Sequence, residues 1–274
     1  MKLVLFLCCF CFCCSPDGFD NTIHNSLTVE GYIEPGKYAR IYLTKNLPVI
    51  GTIDSLDLVD SIETTAKVEL FSENTSEILT LKKDLNRFPF FYYRSNIISG
   101  DINKNYTLKI SLNNSIYNAE TTIPSQPIIE SYNFENTKKD SLRKLSVSFK
   151  KQLDLVGFYK CFIKHNNDDV YTKAKPFIFN DSLVISNTYT VSFLYDKIVD
   201  NEIKNQMKVG DTIEFKISSI PKTEYEFWKA ITGDQTTLNN DVLFTQNTPT
   251  NIYGSKAFGY WSGQNSRKTT IIVK

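Results

Sequence analysis

The residues best suited to chemistry in this sequence are cysteines, and five of the six lie within seven positions near its start. A zinc or iron–sulfur site needs thiolates at turn spacings and a second pair of ligands. Here the thiols are interleaved with Leu and Phe, and Cys161 is the only other cysteine. Adjacent cysteines cannot bridge each other in ordinary disulfide geometry. The pattern therefore favours neither a metal site nor a disulfide framework. The five residues are Cys8, Cys9, Cys11, Cys13 and Cys14.

The same cysteines fit an apolar leader. Lys2 gives a positive start, and Leu3–Cys14 is an unbroken run of twelve apolar residues, since a free cysteine behaves as a small hydrophobe. A bilayer-spanning helix needs about twenty residues, whereas twelve suit the apolar region of a secretory signal peptide. The end of the run resembles a bacterial lipoprotein signal. We expect residues 1–13 to be the signal peptide, Cys14 to carry the lipid and residues 14–25 to form a tether. An ordinary cleaved signal without lipid is the alternative.

Catalytic candidates are few in the rest of the chain. His24 and His165 are the only histidines, and a Ser-His-Asp triad around His165 is less favoured than chance proximity to surface serines and acids. The loop 165–169 has oxygen ligands for Ca²⁺ but lacks the glycine and final glutamate of an EF-hand. Cys161 lies among strand residues, which favours a buried structural thiol. We expect no catalytic residues, no metal and no cofactor, and therefore a protein that is not an enzyme.

An aromatic segment near the C-terminus is the best candidate for ligand binding. Tyr253, Tyr260 and Trp261 lie among glycines in PTNIYGSKAFGYWSG (249–263). Aromatic rings give a large contact area at low entropy cost, and glycine lets a backbone approach closely. The same residues could instead form the closing strand of a sandwich core. Both interpretations remain open from the sequence.

Composition indicates a β protein without affinity for nucleic acid. The 31 Lys and Arg nearly balance the 30 Asp and Glu, and there is no long basic run. The 15 Tyr and 19 Phe, together with many Thr, Ile and Val, suit pleated and half-buried surfaces. Period-two alternation recurs, as in AKVEL (66–70) and NYTLKISL (105–112), with polar turns between the segments.

This pattern predicts an all-β fold of two consecutive immunoglobulin/fibronectin-like β-sandwiches. Two prolines in the stretch 122–127 favour an extended connector, so we expect sandwiches at 26–124 and 125–274. One short helix is predicted at about 223–232, where Thr223 and Glu226 form a capping-box pattern and Gly233 offers a stop.

Five segments occur in this order along the chain: SLTVEGYIEPG (26–36), ARIYLTKNLP (39–48), NYTLKISLNNSIYNAETTIP (105–124), VGDTIEFKISSIPKTEYEFWKAI (209–231) and PTNIYGSKAFGYWSG (249–263). Together they resemble an uncharacterised family of Bacteroidetes outer-membrane lipoproteins, a domain of unknown function of the 4249 type. The resemblance implies a lipid-anchored binding or accessory protein at the outer membrane, which works with a TonB-dependent receptor in nutrient uptake. Asp17, close behind Cys14, resembles a signal for display on the outer surface, so we expect the protein to face the cell exterior. The alternative is an adhesin-like or structural surface protein without receptor dependence.

Overall fold

The structure is a computed structural model and describes residues 26–45, 55–136, 143–152, 155–166, 168–199, 202–205, 207–232 and 248–274. Cys14, the signal peptide and the tether lie outside these residues. The predicted all-β sandwich fold is confirmed. The strands up to residue 122 are β1 (Leu27–Ile33), β2 (Tyr38–Lys45), β3 (Lys67–Ser72), β4 (Thr75–Ile78), β5 (Thr80–Lys83), β6 (Phe91–Ser99), β7 (Asn105–Leu112) and β8 (Ser115–Thr122).

The remaining strands and two helices follow in chain order. The strands are β9 (Ile128–Asn136), β10 (Arg143–Lys150), β11 (Phe158–His165), β12 (Thr172–Asn180), β13 (Thr188–Phe193), β14 (Asp196–Val199), β15 (Glu202–Asn205), β16 (Thr212–Ser219), β17 (Ile252–Gly254), β18 (Ala257–Gly263) and β19 (Asn265–Ile272). The helices are α1 (Ser55–Asp60) and α2 (Lys222–Thr232).

The first sandwich consists of two five-stranded sheets, in the orders β18-β1-β2-β6-β5 and β17-β8-β7-β3-β4. Alternate residues of each strand enter a shared core, because successive side chains of a strand point to opposite faces. Val29 and Ile41 come from one sheet, and Val68 and Leu108 come from the other. The outer face of the first sheet carries the intervening residues, which are polar and aromatic.

The second sandwich has a three-stranded sheet, β13-β10-β9, and a four-stranded sheet, β12-β11-β16-β19. Its core is aromatic and contains Phe149, Phe193 and Phe215 beside the buried Cys161. An immunoglobulin constant-type sandwich also has seven strands, and its fourth strand belongs to the sheet of the first two. Here the fourth strand, β12, instead pairs with the third, β11. A two-stranded ribbon, β14-β15, lies between β13 and β16 in the chain.

The connection between β16 and β19 returns to the first sandwich. β18 pairs in parallel with β1, with Val29 opposite Gly259, and β17 pairs antiparallel with β8. Ile252 and Trp261 are buried in the first core. Residues 252–263, which the sequence groups with the second sandwich, thus lie in the sheets of the first. The division of the chain after residue 124 stays a prediction.

The predicted helix is confirmed as α2, whereas α1 has only six residues and was not predicted. α2 packs on β18 through Phe227, whose ring centroid lies 5.0 Å from that of Tyr260. Neither helix of the described residues is long and apolar enough to cross a membrane.

Candidate functional site

A bulge in β6 opens the outer face of the first sandwich. Tyr38 of β2 pairs with Ser99, but Arg40 already pairs with Arg94, so extra residues of β6 loop out between these two pairs. The Ser95 hydroxyl fixes the loop, because it accepts a hydrogen bond from the Ala39 N–H at 2.8 Å and donates one to the Ile98 carbonyl at 2.7 Å. Bulges are common beside functional sites, where they redirect side chains.

The Glu77 carboxylate of β4, a strand of the other five-stranded sheet, also holds this bulge. It accepts hydrogen bonds from the backbone N–H groups of Asn96 at 2.9 Å and Ile98 at 2.8 Å. The residues left out of the β2–β6 ladder therefore keep hydrogen-bond partners. The bulge is a fixed part of the fold.

Arg40 and Arg94 are direct cross-strand neighbours beside this bulge. The Arg40 guanidinium lies 5.2 Å from the Tyr92 ring centroid, and the Arg94 guanidinium lies 4.8 Å from that of Tyr38. Within the described part of the chain, neither guanidinium forms an ion pair with a carboxylate. Two like charges directly opposite each other destabilise a sheet. This pair therefore breaks a local rule of sheet stability.

A cleft of ≈ 450 Å³ lies over this pair. One wall is the β1–β2 turn, in which the Lys37 N–H donates to the Glu34 carbonyl at 3.0 Å and Gly36 has φ +68°. The turn rests on Gly100, where an added Cβ would lie 2.3 Å from the Glu34 carbonyl oxygen. The lining residues are Tyr32, Glu34, Gly36, Lys37, Tyr38, Arg40 and Arg94.

Glu34 is the one acid among these lining residues, and its charge is already compensated. Its side chain is buried; one carboxylate oxygen accepts from the Lys37 ammonium at 2.5 Å and the other from the Ser266 hydroxyl at 2.5 Å. Burial alone would raise the pKa of Glu34, but these hydrogen bonds and the charges of Lys216 and Lys37 outweigh it and lower the pKa. The two arginines keep the cleft positive.

The arrangement suits binding of an anion with an organic body. A guanidinium presents planar N–H donors that match a carboxylate or phosphate in bidentate geometry. Tyrosine rings supply flat contact area beside such donors. The volume falls within the range of small-molecule sites, about 300–1,000 Å³.

Sequence reasoning did not select this site. The signal was present in YARIYL (38–43), where Tyr38, Arg40 and Tyr42 recur at every second position and so share one strand face. The pairing of Arg40 with Arg94 depends on the bulge, and the sequence does not reveal that register.

The aromatic residues proposed from the sequence do not share one open surface. Trp261 is fully buried in the first core, and its indole N–H donates to the Tyr106 carbonyl at 3.0 Å. Tyr260 is buried beneath α2, whereas Tyr253 on β17 is 61% exposed. The burial of Tyr260 and Trp261 agrees with the core-packing alternative. Ligand binding at Tyr253 stays a prediction.

A buried charge links α2 to both sandwiches. The Glu224 carboxylate accepts from the Lys160 ammonium of β11 at 2.6 Å and from the Trp228 indole N–H at 3.1 Å. It also accepts from the Ser262 hydroxyl of β18 and from the Gln264 amide. Because four donors surround it, this buried carboxylate is compensated, and the cluster fixes the return of the chain to the first sandwich.

The histidine and thiol candidates have structural surroundings. His165 Nε2 lies 2.7 Å from the Asp211 carboxylate, and its ring stacks on Tyr195 with centroids 5.3 Å apart. Cys161 is buried in the second core, and burial raises the pKa of its thiol well above the ordinary value. A thiol kept protonated in this way is a poor nucleophile. His24 lies outside the described residues.

Comparison with known proteins gives one family. The family "Domain of unknown function (DUF4249)" matches residues 16–270. No curated protein matches the sequence. A chain from a solved structure titled "Cytokine receptor complex - Crystal form 1A" is similar at 9% identity and a TM-score of 0.26, covering 72% of this chain and 85% of that chain. A likeness at this level supports no conclusion about function.

Proposed function

We propose a function from the premise that this chain belongs to the DUF4249 family. The protein is a lipid-anchored, non-enzymatic binding protein at a bacterial outer membrane, where it works as an accessory to a TonB-dependent receptor in nutrient uptake. The observation that carries the binding role is the cleft over Arg40 and Arg94, a positive and aromatic depression on the outer face of the first sheet.

The leader supports the membrane location. The apolar run Leu3–Cys14 ends in a cysteine followed by the polar residues Ser15, Pro16 and Asp17. A single acyl chain gives only marginal membrane binding, so we propose that several chains on Cys14 anchor the protein. The protein faces the cell exterior, where it meets the ligand before the receptor does.

The anchor is tested by labelling. The full-length protein, expressed in a bacterium that processes lipoproteins, is expected to incorporate radiolabelled palmitate and to partition into the membrane fraction. Cys14→Ala is expected to lose both properties, and Cys13→Ala serves as the matched control that keeps them. Palmitate-free protein in the soluble fraction would contradict the anchor.

The receptor role is tested by isolating the anchored protein in mild detergent. A TonB-dependent receptor is expected to co-purify with the wild type and to be reduced with Cys14→Ala, because the variant does not reach the membrane surface. Attachment to surface polymers in cells without the receptor, with no receptor recovered, would instead favour the adhesin-like alternative.

A further inference from the structure

We propose that Arg40 and Arg94 jointly bind the carboxylate of a small acidic ligand, whose remaining body lies against Tyr32 and Tyr38 in the same cleft. This inference rests on the proposed binding function and names the class of ligand. A sugar acid has the two parts that the cleft requires, a carboxylate and a compact ring.

The first support is the cost of the arginine pair. Cross-strand like charges are unfavourable. The Arg94 guanidinium lies over the Tyr38 ring and the Arg40 guanidinium over the Tyr92 ring, where Tyr32 and Tyr42 also interact with it favourably. Proteins tend to break local rules of stability at functional sites. An anion between Arg40 and Arg94 would relieve their repulsion and would accept hydrogen bonds from both.

The second support is that the nearby acids are occupied. Glu34 is paired with Lys37 and hydrogen-bonded by Ser266, so it does not neutralise the arginines. Glu30, on the same sheet face, is paired with Arg87 at 2.9 Å. Neither acid neutralises the guanidinium groups of Arg40 and Arg94, so both groups can donate hydrogen bonds to a ligand in the cleft.

The third support concerns the size and shape of the ligand. The β1–β2 turn closes one side of the cleft and the β6 bulge adjoins it, which favours a small molecule over a long polyanion. The chain has a net charge of +1, so it lacks the general basicity that draws nucleic acid. An organic body is needed to contact the tyrosines, which distinguishes the ligand from an inorganic ion.

The experiment is calorimetric titration of the full-length protein in detergent with galacturonate, its neutral counterpart galactose, and inorganic phosphate. Galacturonate is expected to bind at least about tenfold more tightly than galactose, since hydrogen bonds to a charged group each contribute roughly 1.5–3 kcal/mol. Phosphate is expected to bind more weakly than galacturonate, because it makes no contact with the tyrosine rings.

Variants connect the binding to the arginine pair. Arg40→Gln and Arg94→Gln are each expected to weaken galacturonate binding by about tenfold or more. Arg40→Lys keeps the charge but loses the planar fork, so it is also expected to weaken binding. Lys144→Gln removes a cation on β10 that pairs with Glu135, and it is expected to leave the affinity unchanged. Thermal melting of each variant serves as the control that it is folded.

Equal affinity for galacturonate and galactose, phosphate binding as tight as galacturonate, or affinity unaffected by both arginine variants would overturn the inference. Absence of galacturonate binding at tens of millimolar would overturn it as well. These results are separate from the proposed function, because palmitate labelling and receptor recovery do not depend on the identity of the ligand.

Discussion

The Lys160 ammonium on β11 lies 2.6 Å from the Glu224 carboxylate on α2, and both side chains are almost entirely removed from water. Removing one partner of such a pair leaves an uncompensated buried charge, which typically costs about 3–5 kcal/mol. This contact joins the four-stranded sheet of the second sandwich to the helix that precedes β17 and β18.

We therefore expect Lys160→Met to lower the free energy of unfolding by about 3 kcal/mol. Adding Glu224→Gln should recover part of the loss, because a neutral amide carbonyl still accepts from Trp228 while the buried charge is gone. Urea denaturation of the single and double variants measures both effects. Equal stability of Lys160→Met and the wild type would show that the Lys160–Glu224 pair does not stabilise the fold.

The arginine pair predicts non-additive stability. Each of Arg40→Gln and Arg94→Gln relieves the same repulsion, whereas the double variant relieves it only once. Adding the two single-variant changes in unfolding free energy therefore counts this relief twice. The double variant should be less stable than that sum predicts, by about 0.2–1 kcal/mol. Denaturant titration at low salt measures this coupling. Strict additivity would show that the two charges do not interact.

The β1–β2 turn predicts a difference between two glycine substitutions. Gly100→Ala places a Cβ 2.3 Å from the Glu34 carbonyl oxygen, so the backbone must move, at a cost of about 1–3 kcal/mol. Gly36→Ala meets no atom within 4 Å and incurs only the strain of its φ of +68°, about 1 kcal/mol. Thermal melting should rank Gly100→Ala as the less stable variant, and the reverse order would contradict the packing of this turn.

Acid should destabilise the protein partly through Glu34. Because its pKa is lowered from 4.5 in the folded state, the unfolded chain binds the proton more tightly. The stabilisation that the ionised Glu34 provides is fully present above pH 4.5 and is lost as the pH falls through the lowered folded-state pKa of this group. Unfolding free energies measured between pH 6 and pH 2 should fall more steeply for the wild type than for Glu34→Gln. Parallel curves would show that Glu34 does not contribute.

Much of the fold could be predicted because the alternation of apolar and polar residues along a segment indicates which side chains are buried. NYTLKISL (105–112) gave β7, and the capping-box pattern at Thr223 gave α2. The partner of β18 could not be predicted, since parallel pairing with β1 joins residues more than two hundred positions apart and leaves no local signature. α1 is too short to show a helical period.

The candidate site was missed for a related reason. AFGYWSG (257–263) drew attention as a glycine-rich aromatic segment, yet all seven residues are buried. Its continuous apolar start, AFGYW, is typical of a strand covered on both faces, here by the first core and by α2. Arg40 and Arg94 looked like ordinary solvated positions of their strands, because a single sequence does not show which charges meet across a sheet.

The parallel pairing of β1 with β18 constrains how the protein is made. β18 follows β1 by more than two hundred residues along the chain, so β1 has to wait for a distant segment to cover its outer edge. Before β18 pairs with it, this edge of β1 offers unsatisfied amides and carbonyls to any other strand that it meets. Such distant pairing also slows folding, because the ends of a long loop must meet first. Chains truncated before residue 257 should therefore be prone to aggregation, because their first sandwich lacks β18.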